Sequence, residues 1–219
     1  PYLHAEIPPQ RLEQTRKMAE ALDEKVFEIY PFAGGTQPMS DDKVERVLNR
    51  TWRPALSVTG AEGLPELSSA GNVLRPFTSL KLSMRLPPTV HGEEATRQMK
   101  QTLEANPPQG ATVEFIADQA ASGWNAPAVA PWLHASLDSA SQAAYGRSVM
   151  YMGEGGTIPF MAMLGQAFPE AQFMITGVLG PNSNAHGPNE FLHIPFARKL
   201  TGCVARIISD HYQHHSKNA

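Results

Sequence analysis

Pro76-Phe-Thr-Ser-Leu80-Lys-Leu-Ser-Met-Arg85-Leu86 is the stretch on which the reading of this chain turns. Leu80, Leu82, Met84 and Leu86 alternate with Ser79, Lys81, Ser83 and Arg85. Successive side chains on an extended backbone point to opposite faces, so this alternation makes one face apolar and the other polar. Working outward, 54–60 alternates Leu56 and Val58 with smaller or polar neighbours, a second strand, and a Gly- and Ser-bearing loop follows over 60–71. Downstream, 92–105 reads as a helix with Glu93 and Glu94 in its first turn, and 111–117 as another short strand. Strand, strand, helix, strand predicts a small open sheet with helices on one face, within an α/β fold.

The flanks are helical. Residues 11–22 place Leu12, Met18 and Leu22 near one face behind Pro8 and Pro9. The segment 30–39 carries Pro31, Gly34, Gly35 and Pro38 and reads as a loop. Ser40, Asp41 and Asp42 then offer an N-cap and dipole-matched acids for a helix to about 49. After Ser122-Gly123-Trp124-Asn125 the rhythm changes, and we expect helices over 131–144, 159–167 and 196–211, with a buried strand at 172–177. A boundary at 120–125 divides the chain into 1–120 and 121–219.

Composition narrows the function classes. The chain has 219 residues, 18 Lys and Arg against 21 Asp and Glu, and a net charge of -3. That balance argues against a nucleic-acid surface, which needs a clustered basic excess. Apolar residues are 42% of the chain, enough for a core. The single cysteine, Cys203, cannot form an internal disulfide. No apolar run approaches the roughly 18 residues of a membrane span, and no signal-peptide pattern opens the chain. The expectation is a soluble cytoplasmic protein with no nucleic-acid or membrane partner. Tyr2 and Leu3 are apolar with no preceding element to pack on, so the chain is expected to be a segment of a longer protein.

Two segments carry candidate chemistry. Gly153-Glu154-Gly155-Gly156-Thr157-Ile158-Pro159 is a glycine-rich turn running into a helix. It reads either as a plain turn or as a set of backbone amides suited to a carboxylate or oxyanion. The other is Asn184-Ala185-His186-Gly187-Pro188-Asn189-Glu190. His186 reads either as a solvent-facing loop histidine or as a metal ligand or acid–base group. His91 with Glu93 and Glu94, the C-terminal His211, His214 and His215 on a frayed end, and Cys203 on the last helix read as structural or solvated.

Together, in order, these segments resemble a known family. Glu154-Gly-Gly-Thr157-Ile-Pro159 followed by His186-Gly-Pro-Asn189-Glu190 resembles the C-terminal half of the dizinc metallopeptidases. That family includes carnosinase, cytosolic dipeptidases, aminoacylase, acetylornithine deacetylase and succinyl-diaminopimelate desuccinylase. Arg53-Pro-Ala-Leu-Ser-Val-Thr-Gly60, Gly71-Asn72-Val-Leu-Arg75-Pro76 and Lys81-Leu-Ser-Met-Arg85-Leu-Pro-Pro resemble its lid domain, in the right order. The resemblance covers about 53–208, and the carnosinase-like branch is the most similar.

The resemblance implies a lid or dimerisation domain over 1–120, with its preceding helical segment, and the C-terminal part of an α/β zinc-peptidase catalytic domain over 121–219. It implies an enzyme that cleaves amide bonds of dipeptides or N-acyl amino acids with two zinc ions, manganese or cobalt being alternatives, and a homodimer formed through the lid. By motif, Asn72, Arg85, Gly155, Gly156 and Thr157 correspond to substrate-binding positions and His186 to a zinc ligand. The family's His-x-Asp pair and Asp-Glu-Glu run precede the lid, and neither occurs here. No lid histidine is evident, His4 being the only one upstream, and Trp124-Asn125 stands where the family can carry a substrate-binding histidine. The chain alone is therefore expected to lack catalytic residues and activity. The alternative is a non-catalytic dimerisation or interaction module of the same origin.

Overall fold

The structure is a computed structural model that describes residues 2–26, 30, 32–155, 159–180 and 182–216. Helix α1, Pro9–Leu22, follows Pro8 and carries proline in its first turn, where the missing N–H costs no hydrogen bond. Asp23, at φ 49°, ends it, and a 3₁₀ turn continues to Val26. Helix α2 is Lys43–Thr51. Of the three candidate caps, Asp42 is the one used: its carboxylate accepts the N–H groups of Val44 and Glu45 at 2.8 and 3.3 Å. Met18 of α1 packs on Val47 of α2 with Leu22 beside them. Lys43 pairs with Asp23 and Glu24, and Arg46 with Glu24, so α2 is also tied to the 3₁₀ turn.

Strands β1, Ala55–Glu62, and β2, Ser79–Arg85, form a two-stranded antiparallel sheet. Leu56 faces Met84 and Val58 faces Leu82; a bulge between Val58 and Gly60 then sets Ala61 opposite Leu80. One face therefore carries the apolar stripe that the alternation predicts. Among the described residues no helix covers it: Leu56, Val58 and Leu80 are 56%, 59% and 54% exposed.

The strand expected at 111–117 is not part of this sheet. The side chains of α3, Gly92–Glu104, occupy its backbone groups. Glu104 Oε1 accepts the Phe115 N–H at 2.7 Å, and Lys100 Nζ donates to the Phe115 carbonyl at 3.2 Å. The chain returns along α3 so closely that a Cβ on Gly92 would lie 2.7 Å from the Ala121 carbonyl oxygen.

Helices α4, Pro131–Tyr145, α5, Pro159–Ala167, and α6, Ile194–Ser216, complete the chain. Leu133 and Ala140 of α4 pack on Ile207 of α6, with Leu137, Met174 and Cys203 around them. The segment 172–177 adds Met174 to this cluster but pairs with no strand among the described residues, so the strand expected there is not formed. A strand exists only through its ladder partner. Helix α6 stays helical to Ser216, so the three C-terminal histidines do not sit on a frayed end. His211, His214 and His215 instead surround the Trp132 indole, with ring centroids 5.4, 5.2 and 6.0 Å from it.

The molecule exposes 16,148 Å². A compact monomer of its 23.9 kDa mass would expose about 9,900 Å² by the usual scaling. Among the described residues no helix is long and apolar enough to cross a membrane.

Candidate functional site

The glycine turn rests on the last turn of α2. A Cβ on Gly153 would lie 3.2 Å from Thr51 Cγ2, and one on Gly155 would lie 2.6 Å from the Arg50 carbonyl oxygen. Gly155 is there first because its backbone passes the Arg50 carbonyl at contact distance, and Gly153 because it lies against the Thr51 side chain. Arg85 reaches the same point from the far end of β2. Its Nη1 donates to the Gly155 carbonyl at 3.2 Å, joining residues 70 positions apart.

The Gly155 N–H donates to Glu154 Oε1 at 2.9 Å. A carboxylate therefore already sits on the amide that the sequence reading assigned to one, and here it is the turn's own. Gly156 and Thr157 lie outside the described residues. Arg50 is a further cation at the turn: its Nη1 donates to the Tyr30 hydroxyl at 3.1 Å, and its Nε is buried without an acceptor among the described residues. Arg53, one turn on, is committed elsewhere. It bonds Glu45 and Asn49 at 2.5 and 2.7 Å, and the Glu45 contact holds its guanidinium above the ordinary value.

The remaining sequence candidates stand apart. Asn72 is exposed in the loop between β1 and β2 and makes no hydrogen bond among the described residues. His186 is exposed in a loop whose backbone is unusually left-handed: Asn182, Asn184, His186 and Asn189 have φ of 64, 54, 62 and 59°. Asparagine and histidine are both among the residues that adopt that region most readily. The His186 N–H donates to Glu190 Oε2 at 3.3 Å, and Asn184 Nδ2 donates to the Pro188 carbonyl. A Cβ on Gly187 would lie 2.6 Å from the Asn184 amide. No bond links this loop to Arg85 or Gly155 among the described residues.

Zinc needs three or four convergent ligands. No group of three His, Cys, Asp or Glu side chains among the described residues could hold a metal. The residues present do not fit a dinuclear centre, and His186 alone would supply one ligand.

Sequence reading missed Arg50, which carries no motif and is brought to the turn only by packing. It also missed the bond between His134 Nδ1 and the Tyr151 hydroxyl at 2.8 Å. Burial, and then the charge of Asp138, push the Tyr151 phenol above its ordinary value.

The fold is shared with solved peptidases. Human carnosine dipeptidase 1 superposes over 95% of this chain and 43% of its own, with a TM-score of 0.68 at 16% identity. The M20 family metallo-carboxypeptidase Sso-CP2 from Sulfolobus solfataricus gives a TM-score of 0.73 at 18% identity, over 94% of this chain and 45% of its own. The di-peptidase Dug1p from Saccharomyces cerevisiae gives 0.68 at 19%, over 96% and 43%. The chain has the fold of part of an M20 peptidase. In sequence, it is 30% identical over 156 residues to a cysteinylglycine-S-conjugate dipeptidase from Corynebacterium striatum. That match covers 66% of this chain and 33% of the relative, so the chain spans about a third of the length of that curated protein. No family model matches. The M20 likeness gives the α/β class.

Proposed function

We propose that this chain is the substrate-recognition part of a zinc-dependent amide hydrolase acting on dipeptides or N-acyl amino acids. Residues 1–120 form the lid with its preceding helical segment, and 121–219 the C-terminal part of the catalytic domain. The observation that carries the reading is the Arg85–Gly155 bond. It brings the end of the lid strand onto the turn whose amide already holds a carboxylate. An arginine fork and backbone N–H groups are what a carboxylate-ended substrate requires.

Arg85, Gly155, Gly156 and Thr157 form the carboxylate cradle, Asn72 approaches the scissile carbonyl from the lid, and His186 is the one metal ligand this chain contributes. When bound, the metal pair would activate a water for attack on the amide. The other ligands and the general base come from the remainder of the M20 fold, which the excess exposed surface leaves room for. The protein acts in the cytoplasm as a homodimer joined through the lid.

The test is steady-state dipeptide hydrolysis by the full-length protein and its Arg85→Ala variant. The expected outcome is a loss in kcat/KM; unchanged kinetics would remove the reading. A second reading is favoured by the uncovered apolar face of β1 and β2, where Leu56, Val58 and Leu80 are more than half exposed. In it, the chain is a dimerisation module without catalysis, and the same assay on the full-length protein would show no turnover.

A further inference from the structure

We infer that Arg50 is a second carboxylate-binding arginine of the cradle, a specificity residue supplied by α2 rather than by the lid. The inference rests on the recognition reading above and deepens it. Three observations place Arg50 there. Its carbonyl oxygen and Cγ lie 2.6 and 3.1 Å from where a Cβ of residue 155 would be, so its side chain leaves the helix against the turn that Arg85 also touches. Its Nε is buried with no acceptor among the described residues, although a buried guanidinium donor left unpaired is costly and native structures rarely keep one without cause. Only one of its N–H groups is engaged among the described residues, by the Tyr30 hydroxyl at 3.1 Å, which orients the fork without neutralising it.

The neighbouring cations are used up. Arg53 bonds Glu45 and Asn49, and Arg46 pairs with Glu24 and Asp41. Arg50 has no carboxylate partner among the described residues. Its charge also lies in the last turn of α2, where the helix dipole favours a cation. That local role keeps the side chain charged and in place but leaves Nε unfilled. A planar ligand carboxylate that displaces Glu154 from the Gly155 amide meets the Arg50 Nη2, which unlike Nε is not buried, with Arg85 on one side and Arg50 on the other. Two arginines on one carboxylate give discrimination by charge: an acid is taken and its uncharged amide is not.

The experiment titrates the full-length protein with acetylglycine and with acetylglycinamide, following binding by calorimetry. Wild type, Arg50→Ala, Arg50→Lys and Arg85→Ala are compared, each with a melting curve. The inference expects wild type to prefer the acid and Arg50→Ala to weaken acid binding about tenfold, the loss of one charge-assisted hydrogen bond. Arg50→Lys should recover part of it, because the charge returns without the fork. Binding of the amide and the melting temperature should hardly change. Full acid affinity in Arg50→Ala beside weakened binding in Arg85→Ala would overturn the role of Arg50 and leave the cradle standing. Equal affinity of wild type for acid and amide, unaffected by Arg85→Ala, would remove the cradle and this inference with it.

Discussion

Arg85 ends its strand exposed, with a single long-range bond, so its loss should be felt in recognition and not in folding. In the full-length protein Arg85→Ala should lower kcat/KM by roughly 10- to 150-fold, the equivalent of one bidentate contact of about 1.5–3 kcal/mol. Arg85→Lys should regain part of it, and the melting temperature should barely move. Gly155→Ala should behave in the opposite way. Its Cβ would press on the rigid Arg50 backbone carbonyl at 2.6 Å, so the turn must lift from α2. We expect a destabilisation of about 1–3 kcal/mol on a urea curve, together with loss of the Arg85 contact. Glu104 offers a residue-scale test in pH. Lys100 and the Phe115 N–H, in that order, hold its carboxyl below the ordinary carboxylate value. A depressed folded value means the contribution is present above the unfolded value and is lost as pH falls through the folded one. The Phe115 amide shift should therefore titrate on the acid side of an ordinary glutamate, and the Glu104→Gln variant should lose that titration.

Among the elements, the two helix pairs are held by very few buried side chains. Met18→Ala removes one of the two fully buried contacts joining α1 to α2 and should cost about 2–4 kcal/mol, read as earlier urea unfolding of that pair. Leu80→Ser, on the uncovered sheet face, should change stability by no more than about 0.5 kcal/mol in the monomer. These contrasts also explain what sequence reading could reach. Helices α1 to α6 were legible because capping residues, prolines and periodic Leu, Val and Ile act locally; Asp42 before α2 and Pro9 at the start of α1 are examples. Strand β2 was legible for the same reason. Residues 111–117 and 172–177 read as strands because their patterns fit an extended backbone, but pairing depends on a partner elsewhere in the chain. At the site, the glycine turn and Arg85 were legible through motif order. Arg50 was not, because nothing near it in sequence announces that Gly155 will pack on its carbonyl.

For the whole molecule, the exposed area is the decisive quantity: 16,148 Å² against about 9,900 Å² for a compact chain of this mass. Phe160, Met163 and Phe168, at 56%, 55% and 60% exposure, and Ile175 and Leu179, at 56% and 60%, lie on or beside α5 and the unpaired 172–177 segment. Apolar surface on that scale marks an interface. The account therefore expects the isolated chain to self-associate or bind a hydrophobic dye, with sedimentation giving a species larger than 23.9 kDa. Its central claim is that recognition lies here and the water-activating machinery does not. The most direct measurement is dipeptide hydrolysis by the pure 219-residue chain with saturating zinc or manganese. The account predicts turnover indistinguishable from the metal-only blank, and turnover well above that blank would contradict it.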